Sequence, residues 1–241
     1  MAKKRLLKED RTELLFKNAS RLRKALDKKR DLGMIMGLDP GRNKPGIALQ
    51  TMNLDNNKKP VTITHSTVTR LKGFSKVVEV QAWVGAELDA SEPLLVMMED
   101  YSFGSEFGRE KAGEMHGAIM MLIWEAGIPL IKVAPSQIKS FIGAMDKDHI
   151  MKEVLRRYEI DTKSSDEADA VVLVKIGDAI IKVLNTMAGI TEFDDQKKFE
   201  ANPHRYCNLV QKEAKIAVNL LIEKGETAIE FATEAEKYRI R

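Results

Sequence analysis

The chain has 241 residues, 44% of them hydrophobic and 31% charged, with a formal net charge of +3. These values fit one domain of ordinary size plus extensions, with a buried core and a soluble surface. No apolar run approaches the length of a membrane span, and the single Cys207 excludes an intramolecular disulfide or a zinc-finger framework. The charged N-terminus is no secretory signal, so the expected location is a reducing cytoplasm.

The charge is unevenly spread. Residues 1–31 carry 12 Lys or Arg against 5 Asp or Glu, whereas the remainder carries 27 against 31. Within this arm Leu7, Leu14, Leu15, Leu22 and Leu26 recur at helical spacing, predicting an amphipathic helix over 5–30. Its charged face holds Arg11, Arg21, Arg23, Lys24, Lys28 and Lys29. Two readings stand side by side: a grip on phosphates through counterion release, or a solvated helix.

Strand and helix then alternate. Strands are expected over 34–38, 46–52 and 60–70; their short links imply an antiparallel meander, with a turn at 53–59. A helix over 74–88 would pack on that sheet. Residues 93–98 form a short apolar run, as expected of a buried central strand, and lead directly into Glu99 and Asp100. A helix over 105–126 carries Gly113, Gly117 and Ala118, small residues expected to allow close approach to the sheet. A strand over 130–133 follows, then short helices over 134–142 and 148–158 around a loop at 143–147. A helix over 165–184 has Ser164 or Ser165 as its cap and carboxylates in its first turn. Residues 192–200 read as a polar loop, and 203–224 and 227–239 as two helices without a chemical motif. The expected architecture is a mixed α/β layer. It divides into a basic arm (1–33), a central domain (34–188) and a helical C-terminal extension (189–241).

The chemistry begins at residues 34–46, where an apolar strand runs into Gly-Leu-Asp-Pro-Gly and places Asp39 at a tight turn. Taken alone, Asp39 reads equally as a turn cap. Glu99 ends the buried strand, and Asp166 and Asp169 lie three apart on one helix face. Alone, Glu99 is an ordinary solvated acid, and Asp166 and Asp169 suit a helix N-terminus. Adjacent central strands would place Asp39 beside Glu99, and the helix crossing the sheet would add the other two. Four carboxylates so close repel one another and are driven toward protonation unless cations intervene. Oxygen ligands suit Mg²⁺ or Mn²⁺.

An ordered set of motifs now carries a resemblance. GLDPG (37–41), GIAL (46–49), VMMEDY (96–101), GEMHG (113–117), APSQIKSFIG (134–143) and DEADA (166–170) resemble the RuvC-type Holliday junction resolvases over residues 34–185. The resemblance implies an RNase H-like (retroviral-integrase-like) fold, a five-stranded mixed sheet flanked by helices, here with N- and C-terminal helical extensions. It implies a homodimer that uses Mg²⁺ or Mn²⁺, two ions per site, to nick opposing strands of a four-way DNA junction. By position, the family's four catalytic acids fall on Asp39, Glu99, Asp166 and Asp169; some relatives carry His at the last. Lys139 and Lys147 match basic residues that contact DNA, against the alternative of solvated loop lysines. The loop after Glu99 offers Tyr101, Phe103 and Phe107. The family stacks an aromatic there on an unpaired base, and the spacing chooses neither Tyr101 nor Phe103. Glu114 reads as a supporting acid or a surface residue, and the four histidines have no assigned role. Against a junction resolvase stand two alternatives: a nuclease for flap or Y-shaped DNA, and an idle module that binds branched DNA.

Overall fold

A computed structural model describes residues 8–27, 33–41, 44–51, 61–67, 71–100 and 109–238. In chain order the elements are α1 (Lys8–Asp27), β1 (Met34–Asp39), β2 (Gly46–Thr51), β3 (Thr62–Ser66), α2 (Phe74–Ser91), β4 (Leu95–Glu99) and α3 (Arg109–Glu125). There follow β5 (Leu130–Val133), α4 (Pro135–Ile142), α5 (Lys147–Tyr158), α6 (Ser165–Met187), α7 (Phe193–Ala201), α8 (His204–Cys207) and α9 (Gln211–Tyr238). The strands form one mixed sheet in the order β3-β2-β1-β4-β5, with β1–β2 and β2–β3 antiparallel and β1–β4 and β4–β5 parallel. Among the described residues no helix is long and apolar enough to cross a membrane.

Strand alternation sorts the core into two layers. Met36, Leu38, Val96 and Met98 pack with α2 and α3, while Ile35, Leu95 and Met97 pack with α6 on the other face. Because side chains alternate along a strand, Gly37, Asp39 and Glu99 also lie on the α6 face. Leu38 is in register with Met98 on parallel β4. Asp39 and Glu99 therefore end their strands side by side.

What lets α6 settle so low is the absence of side chains beneath it. A Cβ at Gly37 would run into the carbonyl oxygen of Ala170, and one at Gly46 into the backbone of Asp166. The glycines around Asp39 thus serve the approach of a helix. By contrast, a Cβ at Gly113 or Gly117 would meet nothing within 4 Å among the described residues. The expectation that these two admit α3 to the sheet is therefore corrected.

The terminal helices complete the α6 side. α1 lies along α9, and α9 also packs on α6 and β5. Leu15 and Leu22 of α1 are completely buried and join the same core as α6. Three cations of the basic arm meet acids of the C-terminal helices: Arg11 pairs with Glu200, and Lys17 and Arg21 with Glu226. Residues 193–201, expected as a loop, form α7; its Phe199 is completely buried and meets Phe16 edge-on. The two expected C-terminal helices are the short α8 and one continuous α9 that passes through Gly225. There the Asn18 side chain lies 3.0 Å from where a Cβ would be, and its Nδ2 donates to the Leu221 carbonyl at 2.9 Å. Gly225 is a packing site for α1.

Two substitutions test this packing. Leu22→Ala, in an arm that looks dispensable, should cost about 2–5 kcal/mol in denaturant unfolding. Gly37→Ala should cost about 1–3 kcal/mol by forcing α6 off the sheet; an unchanged midpoint would mean that α6 does not rest on β1.

Candidate acidic metal site

The start of α6 is held by its own sequence. Ser164 caps it, accepting from the Glu167 N–H at 3.2 Å, and the Glu167 carboxylate accepts from the Lys163 N–H at 2.8 Å. Glu167 is thereby turned back on the cap. Asp166 and Asp169 project toward the ends of β1 and β2, and the Ser165 hydroxyl donates to Asp166 Oδ1 at 3.1 Å. Oxygens of Asp39, Asp166 and Asp169 lie within 4.8 Å of one another. The Glu99 carboxyl is within hydrogen-bonding reach of Asp39. All four acids anticipated from the sequence converge.

Such crowding leaves its mark on protonation. Burial, then the Glu99 carboxyl, then Asp166 and Asp169 hold Asp39 well above the usual carboxylate range. Glu99 is raised chiefly by burial, against the pull of its hydrogen bond to Asp39 and of Lys147. Burial, with Glu99 and Asp166, pushes Asp169 up to about 7, while Lys147 and Lys139 oppose the rise. Lys147, the first residue of α5, sets its Nζ 3.1 Å from Asp166 Oδ1 and 3.9 Å from Asp169 Oδ2. Burial works against its charge, but Asp166, Asp39 and Asp169 outweigh burial and raise its pKa. Lys139 on α4 is close enough to bias Glu99 and Asp169. Both anticipated lysines therefore stand beside the acids.

The donor set fits a cation. Asp39 Oδ2 is buried and has no hydrogen-bond partner among the described residues, an unsatisfied oxygen that a cation would satisfy on displacing the proton. Hard carboxylate oxygens match a divalent ion of the Mg²⁺, Mn²⁺ or Ca²⁺ kind. The buried triad can hold such an ion, with Glu99 at its margin.

The remaining expectations divide. Tyr101, Phe103 and Phe107 lie outside the described residues. Glu114 is an exposed residue of α3, in keeping with its reading as a surface residue. A lone histidine with no assigned role, His116 is buried near Asp100 and Lys132; burial and Lys132 lower it to about 4, against Asp100. Lys132 Nζ is 3.4 Å from Asp100 Oδ1. This group lies on the face opposite Glu99, and no spacing in the sequence announces it.

A mixed five-stranded sheet with helices on both faces, and acids at the ends of β1 and β4, gives an RNase H-like fold. The solved structures it is similar to include RuvC from Thermus thermophilus, at 21% identity and TM-score 0.50, covering 58% of this chain and 90% of that one. T. thermophilus RuvC in complex with a Holliday junction substrate gives 20% identity and TM-score 0.49, covering 58% and 90%. A Fowlpox virus resolvase in complex with substrate Holliday junction DNA gives 18% and 0.37, covering 59% and 94%. At such identity the likeness is one of fold. No family model matches the sequence, and no curated protein matches it.

The raised carboxyls give a signed pH dependence. Asp169 folded binds its proton more tightly than unfolded, so its contribution is present below about pH 4 and is lost as pH rises through about 7. Without metal, the thermal midpoint should fall between pH 5 and pH 8, and Asp169→Asn should remove part of that fall. Saturating Mn²⁺ at 100 times its dissociation constant should restore about 2.7 kcal/mol, more readily at the higher pH, where protons do not compete. Equal midpoints with and without Mn²⁺ at pH 8 would show that the acids hold no ion.

Proposed function

We propose that the chain is a divalent-cation-dependent DNA endonuclease that resolves four-way junctions by paired nicks, acting as a homodimer. The observation that carries this reading is the convergence of Asp39, Glu99, Asp166 and Asp169 at one end of a resolvase-type sheet. Catalytic work is assigned to these four acids, and all four are metal ligands. Asp39 is the central anchor, Glu99 and Asp166 complete the shell, and Asp169 orients the site. When bound, Mg²⁺, two ions per site with Mn²⁺ as a substitute, supplies charge neutralisation at the attacking and leaving oxygens of an in-line phosphodiester displacement. Lys139 and Lys147 take backbone phosphates as point charges. Tyr101 or Phe103 is assigned the stacking role at the junction. α3, with Met121 exposed, offers a surface for two-fold pairing that sets two active sites in one particle.

A pure binding module has no reason to concentrate buried negative charge where phosphates must dock. A labelled four-way junction incubated with and without Mg²⁺, beside a flap, a Y structure and a plain duplex, tests both activity and shape preference. Symmetric nicks in the four-way junction alone are expected. Asp39→Asn and Asp166→Asn should abolish cleavage and retain junction binding. Full Mg²⁺-dependent activity in either variant would sink the assignment, and cutting of flaps in preference to junctions would reassign the substrate.

A further inference from the structure

Beside the acids a cleft of about 530 Å³ opens between the β1–β2 turn and the α5–α6 junction. Lys44 lines it from the turn, Lys147 and Met151 from α5, and Lys163 from the residue before the α6 cap. Its carboxylates are Asp148 and Asp166. Asp166 is engaged by Lys147 at 3.1 Å, so Lys44 and Lys163 face the cleft with Asp148 as the other acid on its wall. Both lysines are exposed, and Lys163 is held at its backbone through the bond from its N–H to Glu167. The two lysines thus line the cleft from separate segments, the β1–β2 turn and the residue before the α6 cap.

We infer that Lys44 and Lys163 form a phosphate clamp that holds the DNA strand on either side of the bond facing Asp166. The inference rests on the nuclease reading and adds its substrate grip. The cleft is within the size range of pockets that take small molecules, about 300–1,000 Å³, and has room for more than one phosphate group. It opens directly onto Asp166. A ligand that fits these facts is a phosphodiester chain, with one phosphate reaching the acids, its neighbours meeting the lysines, and sugar carbons resting on Met151. Ammonium groups bind such oxygens without reading sequence. The clamp therefore strengthens grip on any strand threaded past the acids, and sequence preference lies elsewhere. Neither lysine belongs to a recognisable motif; the fold brings them together.

The test measures four-way-junction binding by Lys44→Gln, Lys163→Gln and the double variant over a salt series without divalent metal. Each single substitution should reduce the slope of log K against log salt by about one, and the double variant by about two. In Mg²⁺ the loss should fall on KM rather than on kcat, Lys→Arg at either position should restore binding, and Mn²⁺ affinity should match the parent. An unchanged slope and KM would overturn the clamp and leave the nuclease reading standing. A fall in kcat at constant KM would also overturn it, since the lysines would then act on the chemistry. A parent protein that binds junctions without cutting them would overturn the nuclease reading alone, the clamp being judged on the slopes. A parent that binds no branched DNA would overturn both.

Discussion

The contact of α6 with bare backbone at Gly37 and Gly46 is the constraint on which the site depends. A helix that rests on side chains stands off its sheet by their length. Here it comes close enough for Asp166 and Asp169 to share space with an acid from the strand below. A methyl group under α6 would separate the groups whose proximity gives the site its chemistry. Register does the rest, because parallel β1 and β4 end together and their alternation aims Asp39 and Glu99 at the same face. Neither condition involves a reacting group.

This arrangement is costly to the fold. Two like charges about 4–5 Å apart repel by roughly 3–4 kcal/mol at an effective dielectric of about 20. A typical hydrogen bond contributes only about 1 kcal/mol. The Ser165 hydroxyl bond to Asp166 therefore cannot balance the cluster, and only protons or cations can. Both are at work: burial and mutual repulsion keep Asp39 and Asp169 protonated well above the ordinary carboxylate range, and Lys147 sits across Asp166 and Asp169. An ammonium carries one charge where a divalent ion brings two. A divalent ion would therefore compete with Lys147 for these acids. Structures commonly accept such local conflict at functional sites.

Residue patterns foretold the parts that depend on local rules. The apolar run ending at Glu99 marked a buried strand, and short links between the first three strands implied their antiparallel order; both hold. The three-residue spacing of Asp166 and Asp169 told of a shared face, and Ser164 does cap the helix. What failed depends on partners distant in sequence. Gly225 looks like a helix boundary until Asn18, more than 200 positions away, is seen to occupy its missing side chain. Gly113 and Gly117 look like packing glycines but meet nothing among the described residues, whereas Gly37 and Gly46, read only as strand positions, are where α6 docks. α7 is polar enough to read as a loop because, among its described side chains, only Phe199 is buried.

Within the described part of the basic arm, Arg11, Lys17 and Arg21 meet acids of α7 and α9. The exposed pairs to Glu226 contribute at most about 1 kcal/mol each, so they are not what seats the helix. Burial of Leu15 and Leu22 does that, at about 1.5–3 kcal/mol per side chain. The pairs act instead on the field, cancelling cations that would draw a polyanion to the α1–α9 surface. Beside the acids, Lys44 and Lys163 line one cleft with Lys147, which is itself paired with Asp166. A chain with a net charge of only +3 can in this way present its useful positive potential where the acids open to solvent. Charges focused in a cleft steer a ligand more effectively than the same charges spread over a surface.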